Sequence, residues 1–277
     1  MAVTGAPVTS VVLAGGLGRR MQQDDATVSL DAAQRSAASA GRKWLVPVGE
    51  GHRRPFLDYV LSALADAGYR EAILVVPPDH ACLRDRYAAP YVSRLAVRFA
   101  VQPGASGTAR AVLAAEPEIG GRPFLVLNAD NLYPVEVLRA LAALDGPGLP
   151  AFERARLVAD SGFPEARVAQ FAVVDVDDRG WLTGIREKPA EIDLASRGAD
   201  ASISMNLWRF DARIFQACRD VPPSARGEYE LPEAVALAVA RGVRFRVIPA
   251  GGAVLDLSRQ SDIARISAQL AGREPRL

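Results

Sequence analysis

The sequence predicts an α/β fold: a mostly parallel mixed sheet flanked by helices, with a smaller β-containing lobe beside it. Two observations carry this prediction. Short apolar runs alternate with stretches in which leucine, valine and alanine recur every three or four residues, the pattern of strands joined by covering helices. Several runs, among them TSVVLAG (9–15) and EAILVVP (71–77), are too apolar for strands with one wet face, as expected where helices cover both sides of a parallel sheet.

The remaining elements follow in order. LAVRFAVQ (95–102) and PFLVLNAD (123–130) read as further strands, and PFLDYVLSALADAG (55–68), TARAVLAAE (108–116) and VEVLRALAAL (135–144) as the helices between them. Repetition of strand, helix and strand implies right-handed crossovers. From about Leu149 the pattern changes. QFAVVDVDDRGWLTGIREKP (170–189) reads as a β-hairpin around the turn DDRG, and VRFRVIPA (243–250) as a later strand. No linker rich in proline or serine separates the two halves, so residues 1–277 read as one domain with lobes 1–148 and 149–277. The alanine-rich stretch 29–41 reads as a short helix ended by Gly41.

Composition narrows the function. With 277 residues, 49% hydrophobic and 23% charged, the chain can bury one large core or two modest ones. A net charge of +1, from 33 basic against 32 acidic residues, gives no field for nucleic acid. No run approaches the roughly 18 apolar residues of a membrane span, and the start MAVTGAPVTS lacks a secretion signal's basic head and apolar core, so a cytoplasmic location is expected. Small molecules are the expected partners, and homo-oligomerisation stays compatible with the sequence. Cys82 and Cys218, with no metal-type spacing, read as reduced thiols.

In open α/β sheets ligands bind beyond the carboxyl ends of the strands. There the sequence places Gly15–Arg20, Gln102–Thr108 and Ala129–Asn131. Glycines directly after a strand let backbone N–H groups approach an anion, and arginine offers a planar fork matched to phosphate oxygens. GGLGRR is neither a P-loop nor a dinucleotide fingerprint. On the residues alone, the segment is either a structural turn or a phosphate cradle.

Five segments in order resemble the sugar-1-phosphate nucleotidyltransferase family. They are VVLAGGLGRRM with Lys43 in RKWLVPV, QPGASGTARAV, FLVLNADNLY, REKP and VLDLSRQSDI, together spanning residues 11 to 263. The resemblance implies a Rossmann-like nucleotide lobe and a sugar-binding lobe. It also implies transfer of a nucleoside monophosphate from a triphosphate, with dTTP or UTP favoured, to a sugar 1-phosphate or related cyclitol phosphate, assisted by Mg2+. Carried over by position, Leu13, Ala14, Gly15, Gly16, Gly18 and Arg19 would surround the triphosphate, with Arg20 and Lys43 as the catalytic cations. Gln102, Gly107 and Thr108 would meet the nucleotide. Asp130 and Asp256 would hold the metal, and Asn131, Ala172, Glu187, Lys188 and Asn206 the sugar phosphate.

Departures from the pattern are specific. Arg19 replaces the usual threonine and Arg42 a proline before Lys43; Leu257 and Ser258 follow Asp256 where a variable residue and a glycine are usual. Ala172 replaces a glycine that meets the sugar, and Asn206, in SMNLWRF, lacks the usual glycine two residues on. Residues 22–42 form a longer spacer than is common, read either as a lid over the triphosphate or as an inert surface excursion.

The chemistry agrees with the resemblance. A phosphate monoester nucleophile, with a second pKa near ~6, is largely ionised at neutral pH and needs no general base. His52 and His80, the only histidines, stand beside no nucleophile motif. Positioning and charge suffice for phosphoryl chemistry. Two other classes stay open: a catalytically silent nucleotide-sugar-binding regulatory homologue, and a glycosyltransferase using the D-x-D spelling at Asp175–Asp177.

Overall fold

The computed structural model describes residues 9–50, 53–87, 91–186, 198 and 200–277. In the first half, strand β1 (Thr9–Leu13) leads through helix α1 (Ala32–Ser39), the short antiparallel pair β2 (Pro47–Val48) and β3 (Arg54–Pro55), and helix α2 (Phe56–Asp66) to strand β4 (Glu71–Val76). Helix α3 (Ala81–Tyr87) precedes β5 (Ala96–Val101); α4 (Thr108–Ala114) and the one-turn α5 (Glu116–Ile119) precede β6 (Phe124–Asn128). Strands β5, β4, β1 and β6 lie side by side in that order, all parallel.

Alternate residues of these strands feed two cores. Val12, Leu74 and Leu125 pack on one face and Val11, Ile73 and Val126 on the other, none more than 1% exposed. With both faces dry, side chains alternate between two apolar layers, which is why the runs show no polar period. Helix α2 is likewise apolar around its circumference, with Phe56, Leu57, Val60, Leu61 and Leu64 buried.

The second half begins with β7 (Asn131–Leu132), α6 (Val135–Ala142), β8 (Gly148–Glu153), α7 (Arg154–Ser161) and α8 (Glu165–Val168). Strands β9 (Ala172–Val176), β10 (Leu182–Arg186), β11 (Ser202–Ser204) and β12 (Trp208–Phe210) follow. Helices α9 (Arg213–Asp220) and α10 (Leu231–Ala240), strands β13 (Arg246–Ala250) and β14 (Leu255–Asp256), and helix α11 (Asp262–Gln269) complete it. Strand β12 is the seam, antiparallel to β6 on one side and to β8 on the other. The sheet continues through β11, β9 and β10, while β13 joins β8 in parallel, giving ten strands among the described residues.

The β9–β10 hairpin turns as its sequence requires. Asp177 accepts from the backbone N–H groups of Arg179 and Trp181 at 2.9 and 2.8 Å, and Gly180 takes φ 78°. The pair β7–β14 stands apart from the main sheet and sets Asp256 opposite Asn131. No helix among the described residues is long and apolar enough to cross a membrane. Both cysteines are free, and burial pushes the Cys218 thiol up to about 12.

Candidate active site

A cavity of about 430 Å3 opens at the carboxyl ends of β1, β5 and β6. It is lined by the glycine loop that continues from β1: Leu13, Ala14, Gly15, Gly16, Gly18, Arg19 and Arg20 all border it. The loop is fixed by backbone contacts. Ala14 N–H donates to the Val75 carbonyl at 2.8 Å, and the N–H groups of Met21 and Gln22 both close onto the Gly18 carbonyl.

Packing requires one of the three glycines and crowds a second. Gly18 has φ 61°, and a Cβ there would lie 2.2 Å from the Gly41 carbonyl oxygen; a Cβ on Gly15 would lie 3.1 Å from Oε1 of Gln102. A Cβ on Gly16 would meet nothing within 4 Å, so packing gives no reason for that glycine. Arg19 and Arg20 occupy the middle of the turn closed by Gly18 and Met21, exposed and without ion-pair or hydrogen-bond partners among the described residues.

The insertion 22–42 takes up the other side of this contact. Its helix α1 has a capping box formed by Asp31 and Gln34 and ends at Gly41, φ 67°, as the sequence indicates. No residue of 22–42 lines the cavity. The segment is a buttress beneath the loop, and the lid reading gives way to this one because Gly41 packs its backbone against Gly18. Further along the chain, Gln260 holds the start of the insertion, donating to the Met21 carbonyl at 3.0 Å and accepting from Asp25 N–H at 3.3 Å.

At the far end of the cavity, Gln102 is buried and donates to the Gly107 carbonyl at 3.2 Å. Gly107 has φ 106°, with the Tyr229 backbone where a Cβ would be. Thr108 does not cap its own helix; its hydroxyl accepts from Leu231 N–H at 2.8 Å and ties α4 to α10.

A smaller cavity, about 110 Å3, adjoins this one, and Asn128, Asp130 and Ser258 line both. Its wall is mostly amide and hydroxyl: Asn128, Asn131, Gln170, Ser204 and Asn206, with Ala172 at its side. Asn206 has φ 57°, the only positive φ outside glycine among the described residues. That is the conformation glycine adopts without strain. The Ser204 hydroxyl is buried with no partner among the described residues.

Charge concentrates where the cavities meet. Lys43 pairs with Asp130, and Asp256 is held by Arg167 at 3.0 Å and by the Ser258 hydroxyl at 2.6 Å. Burial pushes the Asp256 carboxyl up, and the Asp130 charge adds to this against the opposing pull of Arg167. Burial works against the Lys43 charge, but Asp130, with Asp256 behind it, more than compensates and holds the ammonium above its ordinary value. Among the described residues no group of three or more histidine, cysteine or carboxylate side chains is arranged around a metal. Two hard carboxylates facing a cavity are nonetheless the donor set of a cation that takes one or two protein oxygens and completes its shell with water and phosphate.

A family model described as nucleotidyl transferase matches residues 9–271. The chain belongs to this family. Glucose-1-phosphate thymidylyltransferase of Actinoplanes sp. is 28% identical over 260 residues, 92% of this chain and 75% of that one. UTP–glucose-1-phosphate uridylyltransferase of Haloferax volcanii is 27% identical over 209 residues, covering 76% of this chain and 81% of that one. The fold is shared with a UDP-glucose pyrophosphorylase solved with UDP-glucose (TM-score 0.74, 16% identity, 95% of this chain and 98% of that one). It is shared equally with a UTP-bound UGPase of Acinetobacter baumannii (TM-score 0.74, 19% identity, 98% and 96%).

The protein is thus a nucleotidyltransferase, of a family that generally uses a divalent metal. Three charged residues in or beside this nucleotidyltransferase's cavities escape sequence reasoning. Glu228 and Glu230 line the larger cavity, Glu230 paired with Arg226 at 2.5 Å. Arg167 bridges Asp256 and Asp262, at 3.0 and 2.6 Å, from helix α8. Nothing in EARV marks that arginine, because its carboxylates lie 89 or more residues away. The D-x-D spelling is structural: Asp175 faces Arg186 at 3.4 Å and Asp177 shapes the hairpin turn, and neither borders the two cavities described above. His80 is buried, bonded to the Pro77 carbonyl at 2.9 Å. Glu187, Lys188 and His52 lie outside the described residues.

Proposed function

We propose that this nucleotidyltransferase makes a nucleotide sugar from dTTP or UTP and a sugar 1-phosphate or related cyclitol phosphate. The observation carrying this reading is the meeting of two unlike cavities at Asp130: one rimmed by unpaired arginines, the other by amides and hydroxyls. In the proposed reaction a phosphate oxygen of the sugar phosphate attacks the α-phosphorus. The bond to the bridging oxygen breaks in line, and pyrophosphate leaves with that electron pair. The nucleophile is already anionic, so no side chain takes a proton.

Arg20 and Lys43 draw the two anions together and stabilise charge on the leaving pyrophosphate. Arg20 has its guanidinium unpaired for that purpose. Lys43 is kept charged by Asp130. A magnesium ion on Asp130 and Asp256 would supply further charge neutralisation at the phosphate oxygens. Arg167 orients Asp256 and limits the repulsion between the two carboxylates. Gln102, with donor and acceptor on one side chain, suits the imide edge of thymine or uracil. We assign residues 1–148 mainly to the nucleotide and 149–277 mainly to the sugar phosphate, and the cytoplasm, where nucleoside triphosphates are kept, as the compartment.

Pyrophosphate release from five nucleoside triphosphates against a panel of sugar 1-phosphates tests this reading. Turnover should appear with dTTP or UTP and fall by roughly 10²-fold in Arg20→Ala. Magnesium-dependent turnover undiminished in Asp130→Ala would sink the metal assignment, and no turnover with any pair would favour a silent regulatory homologue.

A further inference from the structure

A third cavity, of about 660 Å3, lies behind the catalytic one and belongs to no part of the reaction. The turn Lys43–Leu45 separates the two. Lys43 and Trp44 border the nucleotide cavity, while Arg42 and Leu45 border this one. Helix α1 of the insertion forms one wall, and β3 and α3 contribute the others.

Four of the lining residues are arginines, Arg42, Arg53, Arg54 and Arg86, and none is acidic. Carboxylates from outside the lining reach three of them. Arg53 pairs with Asp31, Arg86 with buried Asp58 at 3.1 Å, and Arg42 stands 4.0 Å from Asp79, whose side chain is 91% exposed. The Arg54 side chain has neither an ion pair nor a hydrogen bond among the described residues, and its Nε is buried without an acceptor, as is that of Arg86. A partly buried guanidinium without an acceptor is unfavourable, and like charges around one cavity repel. An anion with several oxygens would satisfy both requirements at once.

We propose that this cavity is an effector site for a phosphate-bearing anion. The coupling to catalysis is short. Arg42 is bonded in sequence to Lys43, the partner of Asp130, and Gly41 packs against Gly18 of the loop that carries Arg19 and Arg20. An anion drawing Arg42 and α1 inward changes the position of Lys43 and of that loop. It alters nucleotide affinity to the extent that it prefers one of these arrangements.

Calorimetric titration with inorganic phosphate tests the site directly. Wild-type protein and Arg20→Ala should share one binding event, since Arg20 belongs to the other cavity. Arg54→Ala should weaken that event by at least about tenfold, the loss expected for one charge-assisted hydrogen bond. It should leave kcat and KM without added phosphate unchanged. Arg54→Gln, which keeps the stem without the charge, serves if the alanine variant fails to fold, and circular dichroism checks both. Phosphate should also shift the KM for the nucleoside triphosphate in wild-type protein and not in the Arg54 variants. Tighter binding of glycerol 3-phosphate than of phosphate would assign the site to phosphate esters, and the reverse to free phosphate. Phosphate binding equal in Arg54→Ala and wild type, or lost in Arg20→Ala, would place the anion in the nucleotide site and overturn the proposal.

Discussion

The two cavities of the candidate site differ in what they leave unsatisfied. The larger one presents Arg19 and Arg20 without partners, on a loop whose backbone is pinned by Gly18. The smaller presents amides and a buried, unpartnered hydroxyl at Ser204. Unpaired cations on a rigid loop suit a polyanion, and neutral donors and acceptors suit a polyol. The carboxylates Asp130 and Asp256 lie where the two meet and are already balanced by Lys43 and Arg167. In the proposed reaction specificity is divided between the cavities, while charge neutralisation is shared.

Removing the shared element should have the largest effect. Asp130→Ala is expected to lower kcat by about 10³-fold, the scale seen when a preorganised electrostatic group is lost, and to release Lys43 from its partner. Steady-state kinetics at saturating magnesium checks this. A loss confined to one substrate's KM would mean that Asp130 serves one cavity only.

The arginine pair tests the larger cavity by itself. Arg20→Ala should lower kcat by roughly 10²-fold, as for one transition-state contact. Arg19→Ala should raise the KM for the triphosphate by about tenfold with kcat nearly unchanged, as for one ground-state charge-assisted contact. Equal effects on kcat would give the two arginines the same role.

These expectations trace back to how much of each region the sequence reveals. The glycine loop, the strand ends at Asn128 and Gln102, and the hairpin turn at Asp177 depend on neighbours within a few residues, and they are legible. The helix 29–41 is legible too, because its capping box and terminal glycine are local. The Asp130–Asp256 meeting is not: it depends on β7 pairing with β14, two-residue strands that carry no periodic signal. Arg167 and Glu230 are invisible for the same reason, since their settings are assembled from distant segments. Asn206 borders the smaller cavity as the sequence suggests, but its left-handed backbone is set by the fold and no side-chain pattern announces it.

A pair of glycines separates packing from ligand space in the same loop. Gly18→Ala forces a Cβ to within 2.2 Å of the Gly41 oxygen at φ 61°, and should cost about 1–3 kcal/mol of stability, read as a lower Tm. Gly16→Ala meets nothing within 4 Å and should leave Tm unchanged while raising the KM for the triphosphate. An unchanged KM in Gly16→Ala would show that the open space beside that residue is not used by the nucleotide.

The smallest expected effect lies in the smaller cavity. Asn206→Gly relieves a left-handed backbone at φ 57°, which costs a non-glycine residue about 1 kcal/mol, less for asparagine. It also adds unfolded-state entropy of similar size, so stability should change by less than ~1 kcal/mol. The side chain borders the cavity, so the KM for the sugar phosphate should rise while that for the triphosphate stays put. A change in both would mean that Asn206 acts through the backbone of the segment leading to β12, and the division of specificity between the cavities would fail at that position.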